Sequence, residues 1–326
     1  MSEHIEIVEV GPRDGLQNEA VVLSVEDRVA FIEKLAAAGA RRIETVSFVN
    51  PNRVPQMGNA EAVSAALGKT PGRSCIGVVL NTKGYDRAVE AGVDEANLSV
   101  AASEGFARAN SGMGVTDQLR MIAGIAERAL NSVRAGSCGP KLSATISTAW
   151  GCPFDGEVSV GQVAAIVHEL AMLKIPKIAL ADTIGAADPW SVRKTVEAAY
   201  KAAPDAVIRL HFHDTRNTGL ANAYAGVGAG VRVLDASCGG IGGCPFAPNA
   251  TGNIATEDLV YMLERGGFET GYDLSGLIDA ATWIGEKLGK VPSSKLSKAG
   301  SFPNLGVPDR WPRKEKASML ATEVSA

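Results

Sequence analysis

Short apolar runs rich in valine and isoleucine recur along the chain between longer alanine-rich stretches with helical spacing, the pattern of βα units and a parallel sheet. Eight runs predict strands: "IEIVEV" (5–10), "RIETVSF" (42–48), "CIGVVL" (75–80), "EANLSVA" (95–101), "LSATIST" (142–148), "KIALAD" (177–182), "VIRLHFH" (207–213) and "VRVLDAS" (231–237). Between the first two, "VEDRVAFIEKLAAAG" reads as a helix with Phe31, Ile32 and Leu35 on one face and Gly39 as its stop. Eight alternations within about 250 residues match a (β/α)8 TIM barrel better than a doubly wound sheet, which has fewer strands. The predicted fold is therefore α/β, a (β/α)8 barrel. Extra C-terminal helices follow over 257–265 and 274–288, after a Gly/Pro-rich stretch, "CGGIGGCPFAPNATGN".

The barrel domain is expected to span 1–298 and a tail 299–326. The end of the chain, "FPNLGVPDRWPRKEKASMLATEVSA", holds three prolines, mixed charge and little periodicity, so it is expected to be mobile or draped on a partner.

Composition narrows the class. The 326 residues are 46% hydrophobic and 21% charged, ordinary globular values, and the net charge of −4 comes with scattered rather than clustered Lys and Arg. That excludes a nucleic-acid surface or an anionic membrane as the main partner and leaves a small molecule. No stretch approaches the roughly 20 apolar residues of a membrane span, and no transit peptide or leader precedes the first strand. Cys75, Cys138, Cys152, Cys238 and Cys244 are an odd set without a CxxC pair, so a reduced, cytoplasmic compartment is expected.

In a barrel enzyme the site lies at the C-terminal ends of the strands, so polar residues there are the candidates. Arg13 and Asp14 follow the first strand in "EVGPRDGLQN", Glu44 lies in the second, Asp182 ends the sixth and "HFHD" ends the seventh. On a strand, His211 and His213 share one face while Phe212 takes the other; Ile208, Leu210 and Phe212 suit the outer helices, which turns the imidazoles into the barrel mouth. Two neutral imidazoles and a carboxylate would leave a divalent ion with net positive charge and open positions, as a Lewis-acid site requires. Nitrogen and oxygen donors suit Mg²⁺ or Mn²⁺ in the cell, although affinity alone ranks Zn²⁺ higher and favours it in a crystal. His168, on an outer helix, and His4, at the first strand, read as structural and surface residues.

The glycines Gly240, Gly242 and Gly243 are not a dinucleotide fingerprint, because Pro245 and Pro248 prevent the following chain from opening into a helix. They read instead as a lid-like loop that carries the Cys244 thiol inward.

The stretches "EVGPRDGLQNE", "IETVSFV", "ADTIG", "HFHDT" and above all "GGIGGCPFAPNATGNIATEDLVYML" resemble the 3-hydroxy-3-methylglutaryl-CoA lyase family of TIM-barrel metallolyases, from about residue 5 to 298. The resemblance implies metal-dependent retro-aldol cleavage of 3-hydroxy-3-methylglutaryl-CoA to acetyl-CoA and acetoacetate, a step of leucine degradation and ketone-body formation. It implies Asp14, His211, His213 and Asn253 as metal ligands. Arg13 would neutralise enolate charge, Glu44 and Asp182 would support the proton and hydrogen-bond arrangement, and Cys244 would sit beside the reacting centre. Arg13 would also contact substrate, together with Gln17. The partner is then a small acyl-CoA, with neither nucleic acid nor membrane, and a homodimer or higher homo-oligomer is expected. The proton acceptor stays open among Asp14, a metal-bound water and the Cys244 thiolate. Contacts to coenzyme A are expected from 18–22 and 50–53.

Two segments depart from the family pattern. After Phe106 the residues are small and glycine-rich, and Arg216–Asn217 stand where a Tyr-Gly pair is usual. Arg216 is a candidate for a second substrate carboxylate, or for an acidic helix neighbour. These departures keep a related substrate in view: a citramalyl-CoA-like compound or a longer 3-alkyl-3-hydroxyglutaryl-CoA. A condensing acyl-CoA synthase or a non-catalytic binding barrel are the readings from other classes.

Overall fold

The computed structural model describes residues 2–243 and 252–302. All eight predicted runs are strands: β1 (Glu6–Glu9), β2 (Arg42–Ser47), β3 (Ser74–Val79), β4 (Glu95–Ala101), β5 (Lys141–Ser147), β6 (Lys177–Asp182), β7 (Val207–Phe212) and β8 (Val233–Ala236). They form one closed parallel barrel in which β1 pairs with both β2 and β8. The last strand starts two residues later than its apolar pattern, because the Val231 amide donates to the Gly226 carbonyl and finishes the preceding helix.

Helices α1 (Val25–Ala37), α2 (Ala60–Leu67), α3 (Thr82–Glu90), α4 (Glu104–Ser111), α5 (Val115–Arg134), α6 (Val160–Met172), α7 (Pro189–Ala202) and α8 (Gly219–Gly228) surround the barrel. The extra helices α9 (Thr256–Arg265), α10 (Leu274–Leu288) and α11 (Leu296–Ala299) follow it. Their starts are locally encoded: Ser24 accepts from the Asp27 amide at 3.1 Å ahead of α1, and Ser159 with Gln162 forms a reciprocal cap on α6. The main core lies between strands and helices and includes Phe31, Ile32, Leu35, Ile208, Leu210 and Phe212, the faces expected to point outward from the barrel. A smaller apolar group is formed by Val8, Val10, Ile76 and Val233. No helix among the described residues is long and apolar enough to cross a membrane.

One irregularity matters for the site. The β2–β3 register shifts between Glu44 and Val46, so the inward face of β2 runs Arg42, Glu44, then Ser47. A bulge adds one residue, which reverses the alternation and puts both Glu44 and Ser47 on the cavity wall. Residues 244–251, with Cys244 and the rest of the expected lid, and 303–326, with most of the expected tail, lie outside the described residues.

Candidate active site

The turn after β1 is wide. The amides of Arg13, Asp14 and Gly15 all point at the Val10 carbonyl, at 3.1, 2.8 and 3.2 Å. This geometry is frequent at functional sites because it swings consecutive side chains out of helical register. Glycine is required at its end: a Cβ on Gly15 would lie 2.7 Å from Ile241 Cγ1 and 2.8 Å from Ser237 Oγ. The turn can therefore press against the glycine-rich loop after β8.

Arg13 and Asp14 diverge only partly. The Arg13 Nη1 donates to Asp14 Oδ1 at 2.6 Å, and Nε donates to Glu44 Oε2 at 2.8 Å, with Nη2 on the same oxygen. Of the five guanidinium donors these use three, leaving two for the cavity. Arg13 is thus part of a largely buried ion network. Burial opposes its charge, but Glu44 and Asp14 outweigh that and raise its pKa further.

Asp14 faces the histidine pair. Its Oδ2 lies 3.5 Å from His213 Nε2 and 3.8 Å from His211 Nε2, and the two imidazoles are tilted with centroids 5.1 Å apart. Burial alone would raise the Asp14 pKa; Arg13 and the two histidines outweigh it and hold this carboxyl well below the usual range. One ligand atom from each of Asp14, His211 and His213 lies within 4.8 Å of the others, which fits a single metal ion.

Asn253 lies beside this group. The strand-like segment after the glycine-rich loop pairs with the end of β7, the Ile254 amide donating to the Phe212 carbonyl at 3.2 Å and His213 bridging Asn253. The Asn253 Nδ2 donates to Asp14 Oδ2 at 3.0 Å, while its Oδ1 is buried without a hydrogen-bond partner. An orphaned carbonyl oxygen beside a carboxylate and two imidazoles is the feature a hard cation would satisfy.

His211 is oriented from behind. Its Nδ1 lies 3.2 Å from Asp235 Oδ2, which leaves Nε2 toward Asp14. Burial works against protonation of His211, but the Asp235 hydrogen bond and the charges of Asp14 and Asp235 outweigh it and raise its pKa.

These residues sit at the end of a cavity of about 730 Å³ whose wall also carries Gln17, Asn18, Asn50 and Arg53. On the far side β4, β5 and β6 contribute Asn97, Ser99, Thr145, Ser147 and Ala181.

Two expected site residues are used elsewhere. Asp182 is fully buried and turns back to accept from the amides of Ala186 and Ala187 at 2.7 and 3.0 Å, so it shapes the loop after β6 and does not line the cavity. Burial raises its pKa, the two amides partly offsetting the rise. Arg216 does not line the cavity either; its Nη1 donates to the carbonyls of Ile184 and Gly185 at 2.9 and 2.7 Å, at the end of that loop. Sequence reasoning passed over Arg209, Asp235 and Asn97. The signal was present for the first: Arg209 shares the inward face of β7 with His211 and His213.

The HMGL-like family model matches residues 4–284. A hydroxymethylglutaryl-CoA lyase of Bacillus subtilis is 40% identical over 296 residues, 90% of this chain and 96% of its own. An (R)-citramalyl-CoA lyase of Chloroflexus aurantiacus is 42% identical over 308 residues, 91% of this chain and 95% of its own. Among solved structures, an HMG-CoA lyase from Acinetobacter baumannii in complex with coenzyme A and 3-methylmalate superposes with a TM-score of 0.87 at 36% identity, covering 94% of this chain and 98% of that one.

Proposed function

The chain belongs to the HMGL-like family and is a carbon–carbon lyase; we propose that it cleaves 3-hydroxy-3-methylglutaryl-CoA to acetyl-CoA and acetoacetate in a retro-aldol reaction that depends on a divalent cation. The observation that carries this reading is the convergence of Asp14, His211 and His213 with the orphaned Asn253 carbonyl oxygen, directly beside Arg13. Those four residues would hold the ion, Mg²⁺ or Mn²⁺ by their nitrogen and oxygen donors. When bound, it supplies a Lewis acid that lowers the cost of ionising the substrate's tertiary hydroxyl.

The chain's own residues supply the rest. Breaking the bond between C2 and C3 sends its electron pair into the thioester, so negative charge grows on the thioester oxygen while C3 becomes a ketone. The two unused N–H donors of Arg13 face the cavity and suit that oxygen, and a guanidinium keeps its charge throughout. Glu44 holds Arg13 by two of its nitrogens, which sets the direction of the remaining donors before substrate arrives. Cys244, on the glycine-rich loop, stays in this reading one of the candidates, with Asp14 and a water, to take the hydroxyl proton, which is balanced by the proton gained at the enolate carbon; Cys244→Ser tests its part. The cavity of about 730 Å³ would take an acyl-CoA whose carrier passes Gln17, Asn18, Asn50 and Arg53. In this reading the enzyme is a cytoplasmic homo-oligomer.

A second reading is (R)-citramalyl-CoA, supported by the relative of that name at 42% identity. The two substrates differ by one methylene between carbinol carbon and carboxylate, which a pocket discriminates by about 1–3 kcal/mol, roughly 10–200-fold in kcat/KM. The test is acetyl-CoA release by metal-stripped enzyme, with and without Mg²⁺ or Mn²⁺, on each substrate in parallel. Higher kcat/KM on 3-hydroxy-3-methylglutaryl-CoA is expected. Preference for citramalyl-CoA would retain the chemistry and change the substrate, and metal-independent or absent cleavage of both would refute the proposal.

A further inference from the structure

Six charged or titratable side chains close a ring around the barrel mouth. From Asp14 it passes to Arg13 at 2.6 Å, then to Glu44 through Oε2; Glu44 Oε1 lies 3.4 Å from Arg209 Nη2, and Arg209 Nε lies 3.2 Å from Asp235 Oδ1. Asp235 Oδ2 then meets His211 Nδ1 at 3.2 Å, and His211 Nε2 returns to Asp14 at 3.8 Å. Arg209 joins Glu44 to Asp235 on one side of the ring, and Asp14 joins Arg13 to His211 on the other.

An aliphatic side chain is the usual filling of such a barrel layer. A guanidinium that is 2% exposed is costly there unless carboxylates on both sides hold it, and it then holds them in return. Asn97 and Thr145 complete the seat: Asn97 Nδ2 donates to Glu44 Oε1 and to Thr145 Oγ1, each at 2.9 Å, and Arg209 Nη2 lies 3.4 Å from Thr145 Oγ1. The third nitrogen, Nη1, is buried without a partner.

From this geometry we infer that Arg209 is a positioning residue: it fixes Asp235, so that His211 presents Nε2 toward Asp14, and fixes Glu44, so that Arg13 keeps its two free donors on the cavity.

The inference rests on the proposed metal-dependent reading, and a substrate-free readout separates the two. In Arg209→Met, Mn²⁺ affinity measured by electron paramagnetic resonance is expected to fall about 10–100-fold, the range for loss of a group that orients a metal ligand. At saturating Mn²⁺, kcat should fall while the acyl-CoA KM stays within about twofold. Arg209→Lys, which keeps the charge and loses the fork, should lie between Arg209→Met and the wild type, and it replaces Arg209→Met if that variant does not fold. Asp235→Asn should lower Mn²⁺ affinity with Arg209 in place. Unchanged or tighter Mn²⁺ binding in Arg209→Met would overturn the inference, tighter binding marking Arg209 as a buried positive charge only. A raised KM with normal Mn²⁺ binding would overturn it in favour of a substrate contact. Wild-type protein that binds Mn²⁺ but cleaves neither acyl-CoA would refute the functional reading, with the Arg209 assignment still decided by binding.

Discussion

The barrel interior holds two buried ion networks, one at each end, and they are built differently. At the floor, Arg42 meets Glu95 with two nitrogens on two oxygens, and Glu6 and Lys177 flank the pair at 3.5 and 3.9 Å. Neither Arg42 nor Glu95 has a buried polar atom without a partner. At the mouth, Asn253 Oδ1, His213 Nδ1 and Arg209 Nη1 are all buried and unpaired. Both networks bear the desolvation of buried charge. The floor offsets it within the protein, whereas the mouth leaves capacity unused, the signature of a place where something binds. A buried ion pair by itself therefore says little about function; its unsatisfied atoms say more.

Substitutions at the two ends should separate these roles. The largest effect belongs to the mouth: His213→Ala is expected to reduce metal-dependent acetyl-CoA release to background and remove Mn²⁺ binding while the far-ultraviolet circular dichroism is retained. Substantial turnover in that variant would remove His213 from the ligand set. Next is the floor. Glu95→Gln strands Arg42, and urea denaturation should show a loss of about 3–5 kcal/mol, with kcat of the folded fraction unchanged. A matching fall in kcat would mean that the two networks are coupled.

Arg13→Gln should lower kcat by about 10²–10³-fold at saturating metal, comparable to loss of an oxyanion donor. Some stability should be lost as well, because Glu44 keeps Asn97 and Arg209 on Oε1 but loses both Arg13 contacts on Oε2. A large stability loss with normal kcat would place Arg13 with the floor-type pairs.

The smallest effect lies behind the mouth. Glu9 accepts from the amides of Gly11 and Cys238 and from Thr256 Oγ1, pinning the Arg13–Asp14 turn to the start of the glycine-rich loop. Burial pushes Glu9 up to about 7, against the lowering by those hydrogen bonds, and burial likewise pushes Glu257 up to about 7. Between the ordinary value of 4.5 and about 7 the folded state keeps protons the unfolded state has lost. Stability from these groups is thus full below pH 4.5 and lost as pH rises through about 7. Glu9→Gln should flatten the melting temperature across that window, and an unaltered pH profile would show that Glu9 does not titrate there.

Much of this arrangement was legible in the order of residues. Strand positions followed from β-branched runs, and β4 and β6 begin and end where the pattern put them. The shared face of His211 and His213 follows from the two-residue period of a strand. The bulge in β2 was not legible, because one inserted residue changes only which way Ser47 points. Asp182 and Arg216 misled for a related reason: a polar side chain at a strand end goes to a nearby backbone group. For Asp182 those were the amides of Ala186 and Ala187, and for Arg216 the carbonyls of Ile184 and Gly185.

By itself, then, the sequence determined the barrel, the inward turn of the histidines and the family, because each rests on local periodicity or on a contiguous motif. Only the tertiary structure decided that Asp14 meets both histidines and that Arg209 joins Glu44 to Asp235. Those meetings depend on barrel closure, where β1 pairs with β8 through Glu6↔Val233 to Glu9↔Ala236. Residues more than two hundred positions apart become neighbours there, and no local pattern encodes the register in which a barrel closes.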